Sequence, residues 1–181
     1  FYSFGQVLDQ LKNYLTKSEG GIERLRNILI NVVRYFMDFI NRRNYDNSFE
    51  NIYSLYFKIL QSCPILYSSN KEELSKNYSI GLFKGFVHIV LHFIHFGANS
   101  GNTHLLDFCV NQILEFLSND LIKSLLVEED FIRLVLASFD SFQDEQIERL
   151  TPLFKLYAQN GLFTNTDILS LLHTRGQISI I

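Results

Sequence analysis

Apolar positions recur along this chain three and four residues apart, the interval that gathers side chains on one side of an α-helix. Phe4, Val7, Leu8, Leu11 and Leu15 predict a first amphipathic helix, broken at Ser18-Glu19-Gly20-Gly21. Residues 22–43 predict a longer helix. Its apolar stripe is Leu25, Leu29, Val32, Val33, Phe36, Phe39 and Ile40, and its polar stripe is Arg24, Asn27, Asn31, Arg34, Asp38 and Asn41. After a turn at residues 44–47, Ser48 is placed to cap a helix that Pro64 ends. That helix turns Phe49, Ile52, Tyr53, Tyr56, Ile59, Leu60 and Cys63 inward, and Asn51, Ser54, Lys58 and Gln61 outward.

The most apolar run, residues 80–97, is the heart of a central helix predicted over residues 72–96. Phe83, Phe86, Val87, Val90, Leu91 and Ile94 form its apolar stripe; Gly81, Lys84, Gly85, His88, His92 and His95 form the more polar one. Gly81 and Gly85 would let another backbone come close. Residues 97–102, Gly-Ala-Asn-Ser-Gly-Asn, predict a break, and Thr103 a cap for the helix over residues 103–118. That helix is expected to bury Leu106, Cys109, Val110, Ile113, Leu114 and Leu117. Asn119-Asp120 makes a corner before a short apolar turn over residues 121–127. Glu128, Glu129 and Asp130 open the next helix, where the dipole favours carboxylates, and it runs to about Phe139. Residues 143–159 are helical by pattern. Pro152 either kinks that helix or starts a new one capped by Thr151. Residues 164–173 predict a last short helix after Gly161.

The pattern therefore predicts an all-α fold of eight to ten helices with no strand. Residues 22–43 pair with 48–62, 72–96 with 103–118, and 128–139 with 143–159. Residues 105–139 hold a long helix, a sharp corner at Ser118-Asn119-Asp120, a short helix and a longer one. This order resembles the armadillo/HEAT class of α-solenoids, with Asn-Asp standing where an armadillo unit usually turns on glycine. The resemblance implies a right-handed stack of antiparallel helix pairs, a superhelix whose concave face binds protein or peptide partners.

Composition narrows the function classes. Apolar residues make up 47% of 181 positions, with 17 Phe, 9 Tyr and no Trp, enough for one helical domain over residues 1–181. The net charge of −3 provides no field for nucleic acid or anionic lipid. Lys84 and three histidines inside the apolar run favour a core helix over a membrane span. Cys63 and Cys109 sit in apolar helical stripes, as free thiols in a reducing compartment do, so the cytoplasm or nucleus is expected. The start at Phe1, the single Met37 and the apolar end at residues 177–181 suggest a segment of a larger protein.

Candidate chemistry is sparse. His88, His92 and His95 lie at i, i+4 and i+7, and two imidazoles at that spacing can share a zinc ion. His95 stands almost two turns from His88, and no acidic residue follows to act as base, so histidines at the core margin are the simpler expectation. Cys109 lies on the apolar side, away from His104 and Asp107, and no glycine-rich phosphate loop, GxSxG or CxxC is present. Neither enzymatic activity nor a cofactor is expected. The partner-binding candidates are Arg24, Arg34 and Arg42 on the long basic helix, with Tyr53 and Tyr56. The alternatives are a segment packed in cis within a larger chain, with a bare apolar patch beyond His173, and a metal-binding or catalytic domain using the His88/His92/His95 face.

Overall fold

The computed structural model describes residues 17–41, 48–62 and 73–161, together with residues 6, 9, 10, 13 and 14. The fold is all-α, with no strand among the described residues. The chain divides into two compact units, Phe1–Ile89 and Val90–Ile181, and the central helix supplies residues to both.

In the first unit, Gln6, Asp9, Gln10, Asn13, Tyr14 and Lys17 have helical backbone. Helix α1 is Gly21–Asn41 and helix α2 is Ser48–Ser62, close to the expected bounds. Leu25, Leu29 and Phe36 of α1 are buried, as are Phe49, Tyr53, Phe57, Ile59 and Leu60 of α2. The expected stripe of α2 omitted Phe57. It is fully buried and stacks on Tyr53, with ring centroids 5.7 Å apart.

Helix α3, Glu73–Ser100, closes this core with Leu82, Phe83, Phe86, Val87 and Ile89. Tyr53 is the hub. Its ring meets Phe36 at 6.3 Å and Phe86 at 5.5 Å, both edge-on, and its hydroxyl donates to the Phe86 carbonyl at 3.3 Å. Edge-to-face and stacked pairs add about 0.5–1.5 kcal/mol each beyond the burial itself. Gly85 sits against Val33 of α1: a Cβ there would lie 2.9 Å from Val33 Cγ1. Gly81 has nothing within 4 Å of its would-be Cβ, so close packing belongs to Gly85 alone of the two.

The second unit begins within α3, where Val90, Leu91, Phe93 and Ile94 are buried. The helix does not stop at Gly97 as expected. It runs to Ser100, because Gly97 is used for packing: a Cβ there would meet Leu106 Cδ2 at 3.0 Å. The stop is Gly101, in the left-handed region at φ +65°, where the Asn102 N–H donates to the Gly97 carbonyl at 3.0 Å. That six-to-one bond closes the helix end in a Schellman arrangement. Gly81–Ser100 is long and apolar enough to cross a membrane, and 56% of that stretch is buried within the protein.

Helix α4, Thr103–Leu117, is capped by Asn102, not by Thr103: the Asn102 side-chain carbonyl accepts from the Leu105 N–H at 3.1 Å. It buries Leu105, Leu106, Cys109, Val110, Gln112, Ile113 and Phe116, while Leu114 and Leu117 are only half-buried. At the corner, the Asn119 carbonyl accepts from Ile122 and Lys123, starting the short helix α5, Asp120–Lys123, and a 3-10 turn at Ser124–Val127. Helix α6 is Glu129–Ala137, with Glu129 and Asp130 in its first turn and Glu129 bonded to Arg133.

A 3-10 turn at Phe139–Ser141 leads to α7, Asp144–Arg149, and α8, Thr151–Gln159. Pro152 therefore lies in the first turn of a new helix. Leu150 occupies the cap position, and the Thr151 hydroxyl instead donates back to the Glu148 carbonyl. The predicted helix over residues 164–173 lies outside the described residues.

Polar ties supplement this second core. Gln146, buried, accepts from the Gln143 N–H at 2.9 Å and donates to the Thr103 carbonyl at 3.2 Å. Arg149 bonds Asp107 at 2.6 Å and also Asn111, linking α7 to α4. Tyr157 of α8 is buried, and desolvation pushes its hydroxyl pKa up, so the group stays protonated across the physiological range.

Candidate functional site: the outer face of helix α1

The sides of α1 away from Leu25, Leu29 and Phe36 are open. Arg24, Asn27, Asn31, Arg34 and Asp38 are exposed there, as the polar stripe predicts. Two further residues share that exposure: Ile28 at 43% and Tyr35 at 49%. Among the described residues, Tyr14 is the other large apolar side chain left so open.

Helical spacing fixes the layout. Arg24, Ile28, Asn31, Tyr35 and Asp38 are successive members of a four-and-three progression, hence one stripe, with Asn27 and Arg34 beside it. Ile28 and Tyr35 are two turns apart, about 10 Å along the axis at 1.5 Å per residue. Arg24 lies a turn before Ile28, and Arg34 adjoins Tyr35. Neither arginine has an ion-pair partner among the described residues, whereas Arg26 pairs with Glu23 at 3.4 Å. The guanidinium groups keep their charge at every physiological pH. Residues 1–89 hold 11 of the 16 lysines and arginines but 8 of the 19 carboxylates, so the unit around this face is basic in an acidic chain. Asp38 closes the same stripe beyond Tyr35, so both signs of charge stand on this face.

The sequence-predicted site residues separate accordingly. Arg24 and Arg34 stand on this face. Arg42 lies outside the described residues. Tyr56 is half-buried in α2. Tyr53 must be corrected: with 0% of its surface exposed and its hydroxyl bonded to Phe86, it belongs to the core and offers nothing to an outside partner. Sequence reasoning missed Ile28 and Tyr35. Their signal was present as two apolar residues seven apart that interrupt an otherwise polar stripe.

The histidine face offers less. His88 and His92 are half-buried, and His95 is exposed with its ring nitrogen 3.0 Å from the Asn99 amide. No group of three or more His, Cys, Asp or Glu side chains among the described residues is arranged to hold a metal ion. Cys109 is a buried free thiol, and the Asp107 carboxylate is engaged by Arg149. A nucleophile needs access as well as a base. Comparison with family models, curated proteins and solved structures finds no match to this chain.

Proposed function

We propose that this chain is a protein-interaction scaffold, a helical-repeat domain of the armadillo/HEAT kind, which holds a protein or peptide partner on the outer face of α1. The single observation that carries the reading is the exposure of Ile28 and Tyr35, with Arg24 and Arg34 on either side of Ile28, on a helix whose Leu25, Leu29 and Phe36 are sealed in the core. Large apolar side chains set among arginines are the usual composition of interface anchors. The repeat assignment draws support from α4 to α6, where a long helix, a tight corner, a short helix and a further helix follow one another. A buried free Cys109 suits the reducing cytoplasm or nucleus.

Site-specific photocrosslinking in cells tests the function. A crosslinking residue at position 31, within the face, is compared with one at position 155, exposed on α8. Discrete protein adducts at 31, weaker at 155 and lost with Arg24→Glu/Arg34→Glu, are expected. Equal adducts at both positions, unaffected by charge reversal, would contradict the reading.

A further inference from the structure

Asn160–Gly161, at the end of α8, is the only asparagine–glycine step in the sequence, and both residues are exposed. We propose that it is a modification site: Asn160 is converted to aspartate or isoaspartate, and the last turn of α8 holds the reaction back until that turn opens. The chemistry needs only water. The Gly161 backbone nitrogen gives up its proton to solvent and attacks Asn160 Cγ. A C–N bond forms, the Cγ–Nδ2 bond breaks, and ammonia leaves with a proton returned from solvent. Water then opens the five-membered succinimide at either carbonyl. Glycine favours the attack because it has no Cβ to shield its nitrogen.

The folded geometry forbids that attack. Asn160 has φ −91° and ψ 10°. At this ψ the Gly161 nitrogen nearly eclipses the backbone nitrogen of Asn160, and Cβ, on another bond of the same tetrahedral carbon, is turned well away from it. Ring closure needs the Gly161 nitrogen beside Cβ, so ψ must rotate. Two hydrogen bonds resist the rotation. The Gly161 N–H donates to the Ala158 carbonyl at 3.0 Å, which fixes the nucleophile. Asn160 Nδ2 donates to the Leu156 carbonyl at 2.8 Å, which pins the amide under attack. Gly161 closes the helix in the left-handed region at φ +72°. Helix ends open at a far lower free energy than cores do, so local fraying of α8 admits the reaction without unfolding the second unit. The product does not restore the closed end. A carboxylate at position 160 has no amide hydrogen for the Leu156 carbonyl and stands at the negative pole of the helix, and isoaspartate adds a carbon to the backbone. The change is one-way and marks molecules whose α8 end has opened.

Peptide mapping by mass spectrometry tests both the site and its gate. The full chain is held at neutral pH and physiological temperature, folded or in guanidinium chloride, and acid formation at position 160 is followed with time. The denatured chain should react there, and the folded protein about tenfold more slowly or less. Ala158→Gly weakens the last turn through helix propensity. It should speed the folded protein about fivefold and leave the denatured rate as it was, with circular dichroism still that of the parent. Equal rates in the folded and denatured chains, or a folded rate that Ala158→Gly leaves unmoved, would overturn the gate. No acid at position 160 in the denatured chain would overturn the site itself.

Discussion

The two units reach stability by different means. In the first, long helices meet through an aromatic cluster in which Tyr53 touches Phe36, Phe57 and Phe86. In the second, shorter helices and 3-10 turns enclose a mostly aliphatic core, and side-chain hydrogen bonds from Gln146 and Arg149 tie α7 to α4. Their surfaces differ in the same way. Over residues 90–161 no large apolar side chain is exposed among the described residues, whereas α1 exposes Ile28 and Tyr35. The first unit thus keeps its aromatic strength inside and leaves an apolar strip outside. The second exposes no such strip among its described residues. The proposed docking role rests on this contrast, although Tyr35 also meets core Phe36 edge-on, with ring centroids 6.0 Å apart.

The contrast can be broken at its strongest point first. Tyr53→Ala should remove about 3–5 kcal/mol of stability, the usual cost of emptying a large buried aromatic position, read by chemical denaturation. If the first unit depends on this hub, near-ultraviolet signals from its tyrosines should be lost together. The glycines of α3 come next. Gly85→Leu should cost about 1–3 kcal/mol through overpacking against Val33, while Gly81→Ala, with open space around it, should gain about 0.5–1 kcal/mol from helix propensity. Similar effects at both would mean that Gly85 is not a close-packing site. The smallest effect belongs to the polar tie in the second unit. Arg149→Met should cost under about 1 kcal/mol, because the Arg149 and Asp107 side chains are 39% and 47% exposed and water screens their attraction. A larger loss would place the strength of that unit in its hydrogen bonds instead of its aliphatic core.

Helix existence was legible because apolar period alone decides it. The bounds of α1 and α2 follow from their stripes and flanking turn residues. What failed were positions where one residue type has two uses. Gly97 looked like a stop and is a packing site; Gly101, four residues on, is the stop. Asn102 and Thr103 can both cap a helix, and only the hydrogen bond to Leu105 decides between them. Tyr53 carries a polar tip, which suggested a groove, yet that tip is satisfied by a core carbonyl. Ile28 and Tyr35 were hidden for a different reason. Period assigns a residue to a side of a helix, but whether another element covers that side is a property of the tertiary fold.

The central claim is that Ile28 and Tyr35 serve a partner and not the fold, and equilibrium unfolding of the Ile28→Gln/Tyr35→Gln variant measures it most directly. Glutamine keeps helix propensity close to the original residues or better, so backbone effects stay small. The account predicts a stability within about 1 kcal/mol of the parent, the range of two ordinary surface substitutions, with an unchanged denaturant slope. A loss of about 3 kcal/mol or more would show that the strip is core to the fold and would contradict its assignment as a docking face.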